Sequence, residues 1–112
     1  MTHREILDEL RLPIRGVREH IPAVFEGYGA LSGAVFVDGA IDTKTKELIA
    51  LAIAVTKQCD GCIASHARGA ARRGATAEEV AEALGVAILM NGGPGTVHAP
   101  RAFEAFQEFT DK

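Results

Sequence analysis

Helix-start and helix-stop signals punctuate this chain from end to end and leave no convincing strand between them. Thr2 followed by Glu5 is a capping box, in which a hydroxyl and a carboxylate satisfy the free N–H groups of a first turn, so a helix begins at about His3. Ile6, Leu7 and Leu10 form its apolar stripe, and Pro13 is expected to end or kink it. Pro22 suits the first turn of a second helix carrying Val24, Phe25, Tyr28 and Leu31 on roughly one face, although Gly27, Gly29 and Gly33 weaken it. Ser32 to Asp42 reads as a loop, because Val35 to Val37 is too short for a strand and has no partner. Asp42 then caps a strong helix, dense in Leu, Ile and Ala, from Thr43 to about Gln58.

A further helix opens around Asp60 and runs to Arg73, where Gly74 supplies a left-handed stop. Thr76 and Glu79 repeat the capping box and start a helix through Val80, Leu84, Val86, Ala87 and Met90. Asn91-Gly-Gly-Pro-Gly95 breaks the chain as a tight interhelical turn; it lacks the lysine and the strand-to-helix context of a phosphate cradle. The last helix spaces Phe103, Phe106 and Phe109 along one stripe, for the core or a subunit interface, with Pro100 in its first turn or at a kink. The expected architecture is an all-α bundle of five or six helices, one domain over residues 1–112.

Hydrophobic residues make up 47% of the chain and aromatic residues only 5%, so Ala, Leu, Ile and Val must build a closely packed core. A short chain this apolar cannot cover all of its hydrophobic surface alone, and a homo-oligomer is expected. The net charge of −3 is spread over interleaved acids and bases, with no basic run for nucleic acid. The longest apolar run, Leu48 to Val55, is far too short to span a bilayer, and Met1 to Glu5 lacks the apolar core of a signal peptide. A cytoplasmic protein without a membrane partner is expected.

The two cysteines, Cys59 and Cys62, close almost no loop and would make a poor structural staple, which points to redox chemistry or half of a metal site. They fall at the start of a helix, where unpaired N–H groups and partial positive charge favour thiolate over thiol. Their spacing lets the sulfurs meet in a disulfide, or lets one resolve a sulfenic acid on the other. His66 lies four residues beyond Cys62 and shares its face, placed to accept a thiol proton at neutral pH. Glu47 stands on the preceding helix among Leu48, Ile49, Leu51, Ala52 and Ile53. It is either at an exposed edge or held inward by a partner, and turned inward it could orient His66. His98 could line the same pocket or serve in a surface or capping role; His3 and His20 are most simply surface residues.

The pattern Glu47, eleven residues, Cys59-x-x-Cys62, three residues, His66 resembles the active-site motif of the alkylhydroperoxidase D-like proteins of the carboxymuconolactone decarboxylase superfamily. The flanks are similar too: Asp38-Gly-Ala-Ile-Asp42, Lys44-Thr-Lys-Glu-Leu-Ile-Ala-Leu51, His66-Ala-Arg-Gly-Ala70 and the Asn91 to Gly95 turn, so that the resemblance covers roughly Pro22 to Phe109. It implies an all-helical fold assembled as trimers or hexamers, and reduction of a small hydroperoxide at the expense of a thiol or disulfide electron donor. It also implies roles: Cys62 attacks the peroxide, Cys59 resolves, His66 is the base and Glu47 relays the proton. No cofactor or resident metal is expected. Well-studied members of that family carry a histidine immediately before the second cysteine, where this chain has Gly61.

Two rival readings remain. A carboxymuconolactone decarboxylase-like lyase would not depend on the cysteine pair, which argues against it. A non-enzymatic metal-binding module could use two Cys, a His and a Glu, but the second Cys/His pair of usual zinc sites is missing. A thioredoxin fold would need strands around the cysteines, and a c-type haem attachment a histidine where Ile63 stands.

Overall fold

The computed structural model describes residues 1–111 as six helices: α1 (His3–His20), α2 (Pro22–Val35), α3 (Thr43–Lys57), α4 (Asp60–Arg72), α5 (Ala77–Asn91) and α6 (Gly93–Thr110). The described residues contain no strand. The starts follow the capping chemistry. Thr2, Asp42 and Thr76 each accept a backbone N–H from the residue three positions on, and Glu79 returns a bond to Thr76 to complete the box. Gly74, at φ 80°, ends α4, with Gly74 N–H reaching the Ala71 carbonyl and Ala75 N–H reaching that of Ala70.

Three boundaries differ from the sequence expectation. α1 continues past Pro13 to His20, so the proline does not end it. Proline leaves the Glu9 carbonyl without its helical donor, but both residues are exposed, so water takes the bond. α2 continues to Val35, taking in four residues of the expected loop, because its glycines and Ser32 cost helix propensity without breaking the ladder. The turn between α5 and α6 is Gly92 alone, at φ 65°; Gly93 to Gly95 already belong to α6, with Pro94 in its first turn and Pro100 in its interior.

Helices α3 to α6 share one core. Leu51, Val55 and Val80 are fully buried there, and Ala67, Ala70, Ala102 and Ala105 let the helix axes come close. Phe106 is buried, and Phe103 and Phe109 pack against the same cluster, so the aromatic stripe serves the chain's own core. α1 lies across α4 and is tied to α6: Glu108 accepts the backbone N–H groups of His3 and Arg4, and the Arg4 guanidinium sits 4.8 Å over the Phe109 ring. His3 is buried, with its Nε2 3.1 Å from Glu104, and is not the surface residue expected. α2 packs on α1 and has no buried residue; Val24, Tyr28 and Leu31 stay exposed, as do Ile49 and Ile53 on α3 and Val86, Leu89 and Met90 on α5. No helix of the described residues is long and apolar enough to cross a membrane.

Candidate active site

The site is built where α3 ends and α4 begins. Between them the chain turns through Gln58, among the described residues the one non-glycine with positive φ, at 53°. Its N–H reaches the Val55 carbonyl and the Cys59 N–H reaches that of Ala54, the bond pattern of a glycine-terminated helix carried here by a glutamine. A side chain in this region costs about 1–2 kcal/mol. That tight reversal makes Cys59 the N-cap of α4, and the Cys62 N–H donates to Cys59 Sγ at 3.2 Å. Cys59 and Cys62 are joined as a disulfide, with their Cα atoms 5.2 Å apart. Cys62 is exposed and Cys59 half-buried.

His66 stands one turn further along α4, half-buried and stacked on Phe36 at a centroid distance of 5.9 Å. Its Nδ1 lies 2.8 Å from Glu47 Oε1. An ionised carboxylate can only accept, so Nδ1 supplies the proton of this bond, and in the neutral imidazole Nε2 is the nitrogen left with a lone pair. Glu47 is only 7% exposed although it lies on an apolar helix, because His66 takes one oxygen and Arg73 approaches the other at 4.0 Å. Of the two possibilities left open for Glu47, the structure takes the inward one.

The two helices meet so closely here that Glu47 lies against the backbone of Gly69; a Cβ built on Gly69 would overlap the carboxylate. Gly69 and Arg73 thus belong to the site. The sequence marks their spacing from His66, three and seven residues along one helical face, but not the carboxylate they enclose.

Cys59, Cys62 and His66 open into one cavity of about 610 Å³ between α4 and α1, whose far wall is Leu7, Leu10 and Ile14. Glu47 stands behind His66 and does not line it. At Gly61, Leu10 of α1 lies where a side chain would start: a Cβ there would come within 2.8 Å of Leu10 Cδ1. The family's extra histidine position is therefore roofed by α1. On its other side His66 borders an apolar groove of about 400 Å³ lined by Tyr28, Leu31, Val35, Ile49 and Ile53. His98 lies elsewhere, beside His3, Gln58 and Arg101. Among the described residues no group of three or more His, Cys, Asp or Glu side chains is arranged to hold a metal ion.

The chain thus combines, on an all-helical frame, a disulfide-bonded Cys-x-x-Cys at a helix N-terminus with a half-buried imidazole held from behind by a buried carboxylate. The model of the carboxymuconolactone decarboxylase family matches residues 22–105, and the chain belongs to that family. It is 44% identical over 86 residues to an uncharacterized protein of the cox locus of Paracoccus denitrificans, covering 77% of this chain and 78% of that one. A carboxymuconolactone decarboxylase family protein of Legionella pneumophila, solved without ligand, has the same fold at TM-score 0.93 and 42% identity, over 97% of both chains. A family protein of Thermotoga maritima, for which involvement in an antioxidative response has been suggested, aligns at TM-score 0.69 and 34% identity over 77% of this chain and 89% of that one. Helix α1 lies outside the residues the family model matches.

Proposed function

We propose that this protein is a thiol-dependent peroxidase in antioxidant defence, reducing hydroperoxides through Cys59 and Cys62 with His66 as base and Glu47 as its orienting carboxylate. The observation that carries this reading is the 2.8 Å Glu47–His66 contact behind a disulfide-forming pair that opens to solvent. In the reduced protein His66 Nε2 takes the Cys62 thiol proton. The thiolate attacks the outer peroxide oxygen, the O–O bond breaks, Cys62 becomes a sulfenic acid, and the proton held on His66 leaves with the alkoxide as an alcohol. Cys59 then attacks the Cys62 sulfur, the disulfide forms and water departs. A dithiol or two monothiols restore both thiols by exchange, taking the two electrons' worth of oxidation as their own disulfide. Cys62 is assigned the attacking role because it is the more exposed cysteine, and Cys59, half-buried at the N-cap of α4, the resolving role. The same reading includes a trimer or hexamer, whose contacts would cover the open apolar surface of α2 and α5.

The test is single-turnover oxidation by cumene hydroperoxide, followed by thiol titration and mass. Cys62→Ser should not react, and Cys59→Ser should stop at a sulfenic acid. His66→Ala and Glu47→Gln should be slowed about 10²–10⁴-fold at pH 7, with partial recovery above pH ~8.5, where a free thiol ionises unaided. If His66→Ala reacts at the wild-type rate at pH 7, the relay is wrong. If Cys59→Ser is the inert variant, the two thiols exchange roles. Decarboxylation of a lactone acid that survives Cys62→Ser would favour the lyase.

A further inference from the structure

The cavity that holds the cysteine pair also holds a guanidinium that no ion pair or side-chain hydrogen bond meets among the described residues. Arg68 lines it from α4, and among the described residues it is the one arginine that is half-buried. It forms no ion pair and no side-chain hydrogen bond there, whereas Arg11 and Arg15 face Asp8 and Glu19 and Arg73 faces Glu47. The carboxylate at the rim, Asp8, is well exposed and 4.0 Å from Arg11. Burial pushes the pKa of Arg68 down and nearby Arg72 adds to this, with Glu47 opposing. An arginine does not escape such a cost by losing its proton, so the guanidinium stays charged with no hydrogen-bonded counter-ion. Facing it are Leu7, Leu10 and Ile14 of α1, an apolar wall supplied by the helix outside the family match. Arg68 follows Cys62 by six residues, a rise of about 9 Å along α4, the length of a medium-chain acid.

We propose that Arg68 is an anion-binding subsite of this cavity, and that the molecule meeting the Cys59–Cys62 pair is an apolar monocarboxylate, its carboxylate on Arg68 and its chain along α1. This rests on the redox reading of the cysteines. The carboxylate can belong to the oxidant, as in a fatty-acid hydroperoxide, or to the thiol that re-reduces the disulfide. In either case a planar guanidinium pairs with a carboxylate through two parallel hydrogen bonds.

Binding is tested first, on the full-length oxidised protein, where no turnover is needed. By calorimetry, octanoate should bind at least about tenfold more tightly than octanamide, the same chain without the charge. Arg68→Met should erase that preference and Arg68→Lys keep part of it. Equal binding of acid and amide to the wild type, or a preference that survives Arg68→Met, overturns the subsite. The source is then assigned on the reduced and oxidised protein separately. Oxidation by linoleic acid hydroperoxide is compared with its methyl ester, and reduction by 8-mercaptooctanoate, long enough to reach from Arg68 to the disulfide, with 8-mercaptooctan-1-ol. An acid preference that Arg68→Met removes, in one arm, names the oxidant or the reductant. Acid preference in binding with none in either arm overturns the claim that the redox partner carries the carboxylate. A protein that binds octanoate through Arg68 but does not oxidise with peroxide fails the peroxidase reading and leaves the subsite standing.

Discussion

Gly69→Ala tests the site without touching any residue that titrates. One methyl group would be added on the face of α4 that the Glu47 carboxylate covers, in a space already filled by its oxygens. Two responses are open. Glu47 can turn away from His66, breaking the 2.8 Å bond, or α3 and α4 can separate, which opens the core at Leu51 and Ala67. The second loses packing along two whole helices, so the side chain gives way. A hydrogen bond to a charged group is worth about 1.5–3 kcal/mol, and if the relay depends on it the oxidation rate should fall about 10- to 150-fold at pH 7. The folded state also loses, because a carboxylate only 7% exposed is left without its imidazole. Breaking a buried pair costs about 3–5 kcal/mol at most, and less if Glu47 reaches solvent beside Arg73.

The assay is single-turnover thiol oxidation at 20 °C, with circular dichroism to show that each variant is folded. The control is a thermodynamic cycle with Glu47→Gln. Once the carboxylate is gone, the added methyl has no relay to break, so Gly69→Ala should slow Glu47→Gln by far less than it slows the wild type. Equal factors in both backgrounds, or a wild-type rate for Gly69→Ala alone, would refute the claim that Gly69 acts through the Glu47–His66 bond.

Gly85, inside α5 with open space around it, is the opposite case: Gly85→Ala should stabilise the chain by about 0.5–1 kcal/mol and leave peroxide oxidation unchanged, as thermal melts and the same assay would show. Under mild peroxide both thiols should disappear together and return with dithiothreitol; a titration that stops at one loss per chain counts against Cys59 as the resolving thiol. Light scattering should give a trimer or hexamer, and Leu31→Glu, on the exposed face of α2, should lower the mass; a concentration-independent monomer would sink the assembly. Hydrogen bonds from Thr45 hold the Asp42 carboxyl below its ordinary range, and Lys44 does the same for Glu79. Depressed carboxylates contribute stability that is present above about pH 4.3 and lost as the pH falls through their lowered values, so urea midpoints should drop between pH 5 and pH 3, and less so in Glu79→Gln.

The helices were legible because their signals are local. Thr2, Asp42, Gly74, Thr76 and Pro22 act within one turn of themselves, and each stands where its chemistry requires. Pro13 does not end α1 because the carbonyl it leaves free, that of Glu9, is exposed, and exposure is a property of the packed molecule. Ser32 keeps its place in the α2 ladder, with the Phe36 N–H on its carbonyl. Val86 and Met90 look like part of a core stripe beside Val80 and Leu84, yet they face outward. Periodicity says that a face is apolar, not which body covers it. His3 looked like a terminal surface residue because its partners, Glu104 and Glu108, are a hundred positions away.

The four chemical residues divide in the same way. Cys59, Cys62 and His66 lie on one helix, so their relation follows from helical geometry alone. Glu47 reaches them only through the contact of α3 with α4, which nothing local specifies. Two features make that contact. Gln58, forced into a left-handed turn that its composition does not advertise, folds α4 back against α3, and Gly69 removes the side chain that would hold the helices apart. A cysteine pair followed by a histidine can occur on any helix. A buried carboxylate on that histidine needs a partner helix at backbone distance. The backbone of Gly69 therefore deserves to be counted with the side chains of the site, since without that gap the Glu47–His66 bond has nowhere to form.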